Sequence, residues 1–173
     1  MAGEPVAEDQ EARRLRRLEQ GLDHGPGRRA QVAPGLFGIY GPGRSPFDRL
    51  RAANAHRLVK PGQVFSRIHV DDLAAGLLAS MYGPRPGAIY HLCDDEPAPA
   101  ERVTTFAAEL LGIDPPPEEA FDAANLSPAL HRFYAENKRV SNALAKAELG
   151  WFVAYPSYRE GLAAVLAAEA SRD

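Results

Sequence analysis

Val64-Phe-Ser-Arg-Ile-His-Val-Asp-Asp-Leu-Ala-Ala-Gly-Leu-Leu-Ala-Ser-Met81 is the stretch on which the reading of this chain turns. Val64, Phe65, Ile68 and Val70 suit a short extended segment. Asp71 and Asp72 then stand where a helix can begin, and either carboxylate can accept a hydrogen bond from a first-turn N–H. Leu73, Leu77 and Met81 follow at four-residue spacing, which predicts one shared apolar face. A polar cluster at a strand-to-helix switch serves either as a ligand site or as scaffold. For Asp71 and Asp72 the scaffold reading is placed first.

Working back from this stretch, Lys60-Pro-Gly-Gln63 reads as a turn. Leu36-Phe-Gly-Ile-Tyr40 suits the end of a buried strand, broken by Gly41-Pro-Gly43. Ser45-Pro-Phe-Asp48 announces a helix: Ser45 can cap, Pro46 fits the first helical position, and Asp48 lies three residues after the cap. Arg44 occupies the corner, where a cation can meet an anionic ligand or simply face water. Residues 1–35 form a charged, loop-rich arm expected to be poorly ordered, and Arg28 to Pro34 lacks an apolar strand pattern. Acidic neighbours dilute the arginines between Glu8 and Gln20, so no nucleic-acid partner is expected.

Working forward, Ala88 to Cys93 reads as a short strand ended by Asp94-Asp-Glu-Pro97. The acidic cluster reads as a solvated loop, because it lacks the spacing of a calcium loop. Cys93 is the single cysteine. It reads as a buried structural thiol, since no activating partner is evident. Val103, Phe106, Ala107, Leu110 and Leu111 predict a helix closed by Gly112. Asp114 to Glu119 reads as a proline-rich loop, and residues 121–137 as an irregular cover. Val140, Leu144 and Leu149 mark a short helix between Ser141 and Gly150. Ser157 with Glu160 opens a final helix that buries Leu162, Val165 and Leu166.

The chain has 173 residues, 45% of them hydrophobic, and a formal net charge of −3. That length suits one domain with a substantial core. No apolar run approaches the roughly 20 residues of a membrane-spanning helix, and Met1 to Gln20 has no signal-peptide core. The expectation is a cytoplasmic protein with no membrane partner and no metal. The overall pattern is mixed α/β with crossover helices.

Three blocks resemble, in order, the NAD-dependent epimerase/dehydratase superfamily, the extended and atypical short-chain dehydrogenase/reductases. They are Gly38-Ile-Tyr-Gly-Pro-Gly-Arg44, Arg67-Ile-His-Val-Asp-Asp-Leu-Ala74 and Tyr90-His-Leu-Cys-Asp-Asp-Glu-Pro97. Asn137-Lys-Arg-Val-Ser-Asn142, Glu148-Leu-Gly-Trp151 and Tyr155-Pro-Ser-Tyr-Arg-Glu-Gly161 resemble the tail of an atypical bacterial branch. The resemblance implies an incomplete Rossmann-like NAD(P)-binding fold over residues 36–170, its C-terminal half carrying a small substrate-side subdomain.

The resemblance also implies a hydride-transferring parent enzyme using NAD or NADP, with Arg44, Arg67 and His69 on the substrate side. Tyr40 and Gly41 would touch only the nicotinamide end. The family's Gly-rich fingerprint is not found in these 173 residues. Its Tyr-x-x-x-Lys pair is absent from the expected position, because Tyr134 and Lys138 lie after the matching blocks. The expectation is therefore a truncated member that binds no cofactor alone and has no stand-alone hydride transfer. The alternative is a non-enzymatic small-molecule or protein-binding module that associates through an exposed sheet edge. Nucleotide-sugar epimerases carry an arginine four residues before the histidine of the second block. Phe65 stands there, and Arg67 lies two before His69.

Overall fold

The computed structural model describes residues 31–34, 38–122, 124 and 126–171. Among the described residues six short strands are interspersed with helices. The first part runs β1 (Gln31–Pro34), β2 (Ile39–Tyr40), α1 (Pro46–Arg51), β3 (Arg57–Val59), β4 (Ile68–His69) and α2 (Val70–Ala79). It continues through β5 (Ile89–Leu92), α3 (Ala100–Leu111), β6 (Glu118–Ala120), α4 (Pro128–Phe133), α5 (Ala143–Leu149) and α6 (Tyr158–Ala170). Every named strand pair is parallel: β1 with β5, β2 with β4, and β3 with β6. Parallel pairing requires long crossovers, and helices supply most of them here. The chain has a mixed α/β fold resembling the Rossmann-like NAD(P)-binding fold.

β1 corrects the sequence reading. Arg28 to Pro34 carries no apolar strand pattern, yet Gln31–Pro34 pairs in register with Ile89–Leu92. Main-chain pairing to a strand 58 positions away, Gln31 to Ile89, supplies what local side chains do not. Residues 1–30 and 35, the remainder of the expected arm, lie outside the described residues, as do Leu36 and Phe37. β3 and β6 also depart from expectation. Each is three residues long, and only Leu58 is buried. Arg57 and Glu118 flank their pairing with an ion pair at 3.5 Å.

Local signals place the helix ends. Ser45 and Asp48 close a capping box at α1, and Ser157 and Glu160 close another at α6. Gly112 and Gly150 terminate α3 and α5 in the left-handed conformation, at φ 67° and 60°. The cap of α5 is Asn142 rather than Ser141, and Val140 stays outside the helix. Asn142 spends its amide on Cys93 O and Asp95 Oδ1, both at 2.7 Å.

The apolar face predicted for α2 is not the buried one. Met81 is 75% exposed and Leu77 43%, whereas Asp72 and Gly76 are buried. A Cβ on Gly76 would come within 2.6 Å of Leu92 Cδ1, so the glycine lets α2 settle on β5. The expected extended segment at Val64 contracts to the two-residue β4. Phe65 ahead of it bridges Ala98 on one side and Lys138 on the other. The cover at residues 121–137 becomes a cluster in which Phe121, Leu126, Leu130 and Phe133 pack on Leu58, Phe65 and Tyr134.

Candidate functional site

A cavity of about 560 Å3 opens between β2, α1, α3, α4 and α6. Ile39 and Tyr40 come from β2, Arg44 from the turn beyond it, and Arg67 from the residue before β4. Val103 and Thr104 of α3, Leu130 and Phe133 of α4, and Tyr158 and Leu162 of α6 complete much of the wall. The volume lies in the usual range for a small-molecule pocket. The tight turn at Gly41–Arg44 has reciprocal main-chain bonds at 3.1 and 3.0 Å, with Gly43 at φ 73°.

Arg67 is the buried cation of the wall, 8% exposed. Its Nη2 donates to Ala98 O at 3.1 Å, and its guanidinium lies 5.6 Å from the Tyr158 ring centroid. Nη1 has no hydrogen-bond partner among the described residues. Burial lowers its pKa and the Asp94 charge opposes that shift, but a guanidinium stays charged in a protein.

Asp94 is 2% exposed, which corrects its reading as part of a solvated loop. Burial pushes its carboxyl up to about 7, against the pull of Arg67 and of the nearby Arg67 and Glu96 main-chain N–H groups. Neither of its oxygens has a hydrogen-bond partner at ordinary geometry. Its exposed neighbours are tied down separately: Asp95 pairs with Lys146 and Glu96 with Arg159.

The structure brings Arg44, Arg67 and Tyr40 to one cavity and leaves His69 and Gly41 out of its lining. Arg44 is exposed and makes no ion pair among the described residues. His69 is 3% exposed and packs behind Tyr40, ring centroids 5.4 Å apart, and against Tyr155 at 4.2 Å. Its Nδ1 accepts from the Asp71 N–H at 3.3 Å and so caps α2. A nitrogen that accepts is unprotonated, and burial also favours the neutral ring. The 3.6 Å approach of Asp71 Oδ2 is therefore not an ion pair. Gly41 owes its missing side chain to α2, since a Cβ there would come within 2.6 Å of Val70 Cγ1. The Tyr40 hydroxyl is buried without a partner among the described residues, and burial, then Asp94, raises its pKa.

Sequence reasoning missed Tyr158 and Asp94, because their relation to Arg67 exists only across chain segments far apart. The Lys138 ammonium lies against the Phe133 ring, and the Tyr134 phenol is raised, by burial first and Glu101 second. Cys93 is fully buried and donates to Val140 O, and burial pushes its thiol up to about 12.

A dinucleotide pyrophosphate needs a helix N-terminus with free N–H groups and no competing anion. The first turns of α1, α3 and α6, which border the cavity, carry Asp48, Glu101 and Glu160. Asp48 and Glu160 already accept from their own cap residues. These three N-termini therefore do not fit the pyrophosphate of NAD or NADP.

A mixed α/β frame of parallel strand pairs and helices is the class of structure the geometry defines, and that fold recurs in known proteins. No family model matches the chain. A functionally unknown conserved protein from Silicibacter pomeroyi is 53% identical, with TM-score 0.75 over 79% of this chain and 49% of that one. The dTDP-glucose 4,6-dehydratase of Bacillus anthracis, in complex with NAD, is 15% identical with TM-score 0.60, over 83% of this chain and 45% of that one. A 3-diazoavenalumate denitrifying reductase from a Streptomyces species is 35% identical over 104 residues, 57% of this chain and 33% of that protein. The chain thus spans a third to a half of these proteins. Its fold is mixed α/β and Rossmann-like, as in that NAD-complexed dehydratase. Among the described residues no helix is long and apolar enough to cross a membrane.

Proposed function

We propose that this chain forms the substrate-side half of an NAD(P)-dependent epimerase/dehydratase-like oxidoreductase site, and that by itself it transfers no hydride. One observation carries the reading: Arg67, buried in the cavity wall, presents a guanidinium nitrogen with no partner. An unpaired buried charge-bearing donor is costly, and an anionic ligand group would satisfy it. Arg67 is the inner anchor, Arg44 the cation at the mouth, and Tyr40 the wall between them. His69 acts behind Tyr40 by fixing the start of α2. Hydride transfer needs a nicotinamide held against the substrate, and the acidic first turns of α1, α3 and α6 support the reading that this chain does not hold one alone.

Calorimetric titration with 4-hydroxybenzoate, for wild type and Arg67→Met, is the test. Binding by wild type that the variant loses by tenfold or more, about 1.4 kcal/mol, is the expected result. Equal binding by both would refute the anchor. The same cavity also supports a second reading, a non-enzymatic small-molecule-binding module. That reading predicts the same anion binding with no chemistry even when a cofactor-binding half is supplied.

The paired strands leave outer edges, and the end of α2 exposes Leu78, Met81 and Tyr82 at 56, 75 and 88%. Such surfaces favour association, in a cytoplasmic setting. Light scattering on the purified chain should give a mass above 18.7 kDa; a clean monomer at high concentration would count against association.

A further inference from the structure

Arg67 stands between the cavity and a second buried charge that the reading above leaves without a task. Asp94 is outside the cavity lining, and its main-chain N–H donates to Arg67 O at 2.7 Å. Both its oxygens, like Arg67 Nη1, are buried without a hydrogen-bond partner at ordinary geometry among the described residues, although the Arg67 and Glu96 main-chain N–H groups lie close enough to favour the ionised form. With Asp94 ionised the pair is neutral. With Asp94 protonated it carries one positive charge. A singly charged ligand arriving at Nη1 leaves a net negative buried cluster in the first case and a neutral one in the second. A doubly charged ligand leaves excess negative charge in both. Buried unbalanced charge is strongly disfavoured.

Resting on the substrate-side reading of the cavity, we propose that Arg67 accepts a monoanionic carboxylate in preference to a diphosphate, and that Asp94 makes this binding proton-linked, its carboxylate taking up one solvent proton as the ligand arrives. The apolar wall of Val103, Leu130, Phe133 and Leu162 receives the body of such a ligand.

The groups acting on Asp94 leave it as the one poised to titrate. Burial has raised it to about 7, so both forms are populated near neutrality. Arg67 stays charged. Cys93 and Tyr40, which both feel Asp94, are raised by burial and stay protonated. Asp95 is held by Lys146 and Asn142. Asp72 and Glu160, which act on Tyr40, accept hydrogen bonds from main-chain N–H groups.

The test titrates the full chain calorimetrically with 4-hydroxybenzoate and with uridine diphosphate, at about pH 6 and about pH 8, in buffers of different ionisation enthalpy. The expected result is carboxylate binding about tenfold tighter at the lower pH, with net proton uptake. It should also exceed diphosphate binding at both pH values. Asp94→Asn should lose the pH dependence and the proton uptake while keeping the preference for the carboxylate. Carboxylate binding that Arg67→Met abolishes, but that shows no proton uptake, would overturn the proton linkage and leave the substrate-side reading intact. Tighter binding of the diphosphate would overturn the charge selection. Binding of neither ligand would overturn both this inference and the reading beneath it. Should Asp94→Asn fail to fold, the wild-type buffer comparison decides alone.

Discussion

The Asp72 carboxylate holds the main-chain N–H of Tyr155, Oδ2 accepting at 3.0 Å, while Oδ1 accepts from Ala154 at 2.8 Å. The start of α2 is thereby fastened to the segment ahead of α6, and Trp151 Nε1 adds a bond to Asp72 O at 3.1 Å. Tyr155 in turn packs on His69. Asp72→Ala removes both carboxylate acceptors inside a dry site and is expected to destabilise the chain by about 3 kcal/mol. Asp72→Asn keeps one acceptor and should lose less. Urea denaturation with unchanged m-values measures both, and an alanine variant as stable as wild type would show that the clamp contributes nothing.

Gly161 governs the position of Tyr40. A Cβ at residue 161 would reach within 2.7 Å of Tyr40 Cζ and closer still to its hydroxyl. Gly161→Ala gains helix propensity of about 1 kcal/mol, yet overpacking of a buried ring costs about 1–3 kcal/mol. The expected net effect is a modest destabilisation accompanied by weaker ligand binding, because the displaced Tyr40 lines the cavity. A variant that gains stability and binds anions normally would show that α6 yields instead of the ring.

Stability should depend on pH through Asp94. Its carboxyl is raised from 3.8 to about 7 on folding. The folded state therefore holds a proton that the unfolded state releases. The associated stability is complete below 3.8 and is lost as pH rises towards 7. Asp94→Asn has no such proton, so its stability relative to wild type should climb across that window, by at most about 4 kcal/mol at about 1.4 kcal/mol per unit. Chemical denaturation at several pH values tests this, and parallel curves for the two proteins would remove Asp94 as the cause.

His69 works in the opposite direction. Burial lowers its pKa below the ordinary value of 6.5, with Asp71 and Asp72 opposing. Its contribution is present above 6.5 and is lost as pH falls below that value. His69→Asn retains a capping side chain and should resist acid better than wild type. Thermal melts run in steps downward from neutrality would expose the difference; identical acid limbs would mean that His69 has the same pKa in the folded and unfolded states.

The 173 residues alone are expected to bind neither NAD nor NADP more tightly than about 10 μM, near −7 kcal/mol. Contacts at the Tyr40 turn are small against the association entropy of roughly 4–15 kcal/mol. Titration with oxidised and reduced cofactors measures this directly. Saturable binding below that threshold, or NADPH oxidation with a carbonyl substrate above a contaminant's rate, would reveal a phosphate site in this chain.

What the sequence determined by itself is local. The capping boxes at Ser45/Asp48 and Ser157/Glu160 and the left-handed stops at Gly112 and Gly150 depend on residues within one helical turn of each other. Those features were legible because their partners lie three or four positions apart. The Arg44 corner was legible for the same reason, being read from the turn glycines beside it. Tertiary structure decided the rest. Gln31–Pro34 is a strand because β5 offers it a parallel edge. Asp72 is a clamp because Ala154, 82 positions away, brings its N–H to it. α2 buries Gly76 rather than Leu77 because Leu92 needs the space a side chain would fill. Arg67 and Asp94 share one buried environment only because folding brings the residue before β4 to the loop after β5, where the Asp94 N–H donates to Arg67 O. Charge, burial and an unpaired donor at such a site are properties of the assembled neighbours, and no spacing along the chain encodes them.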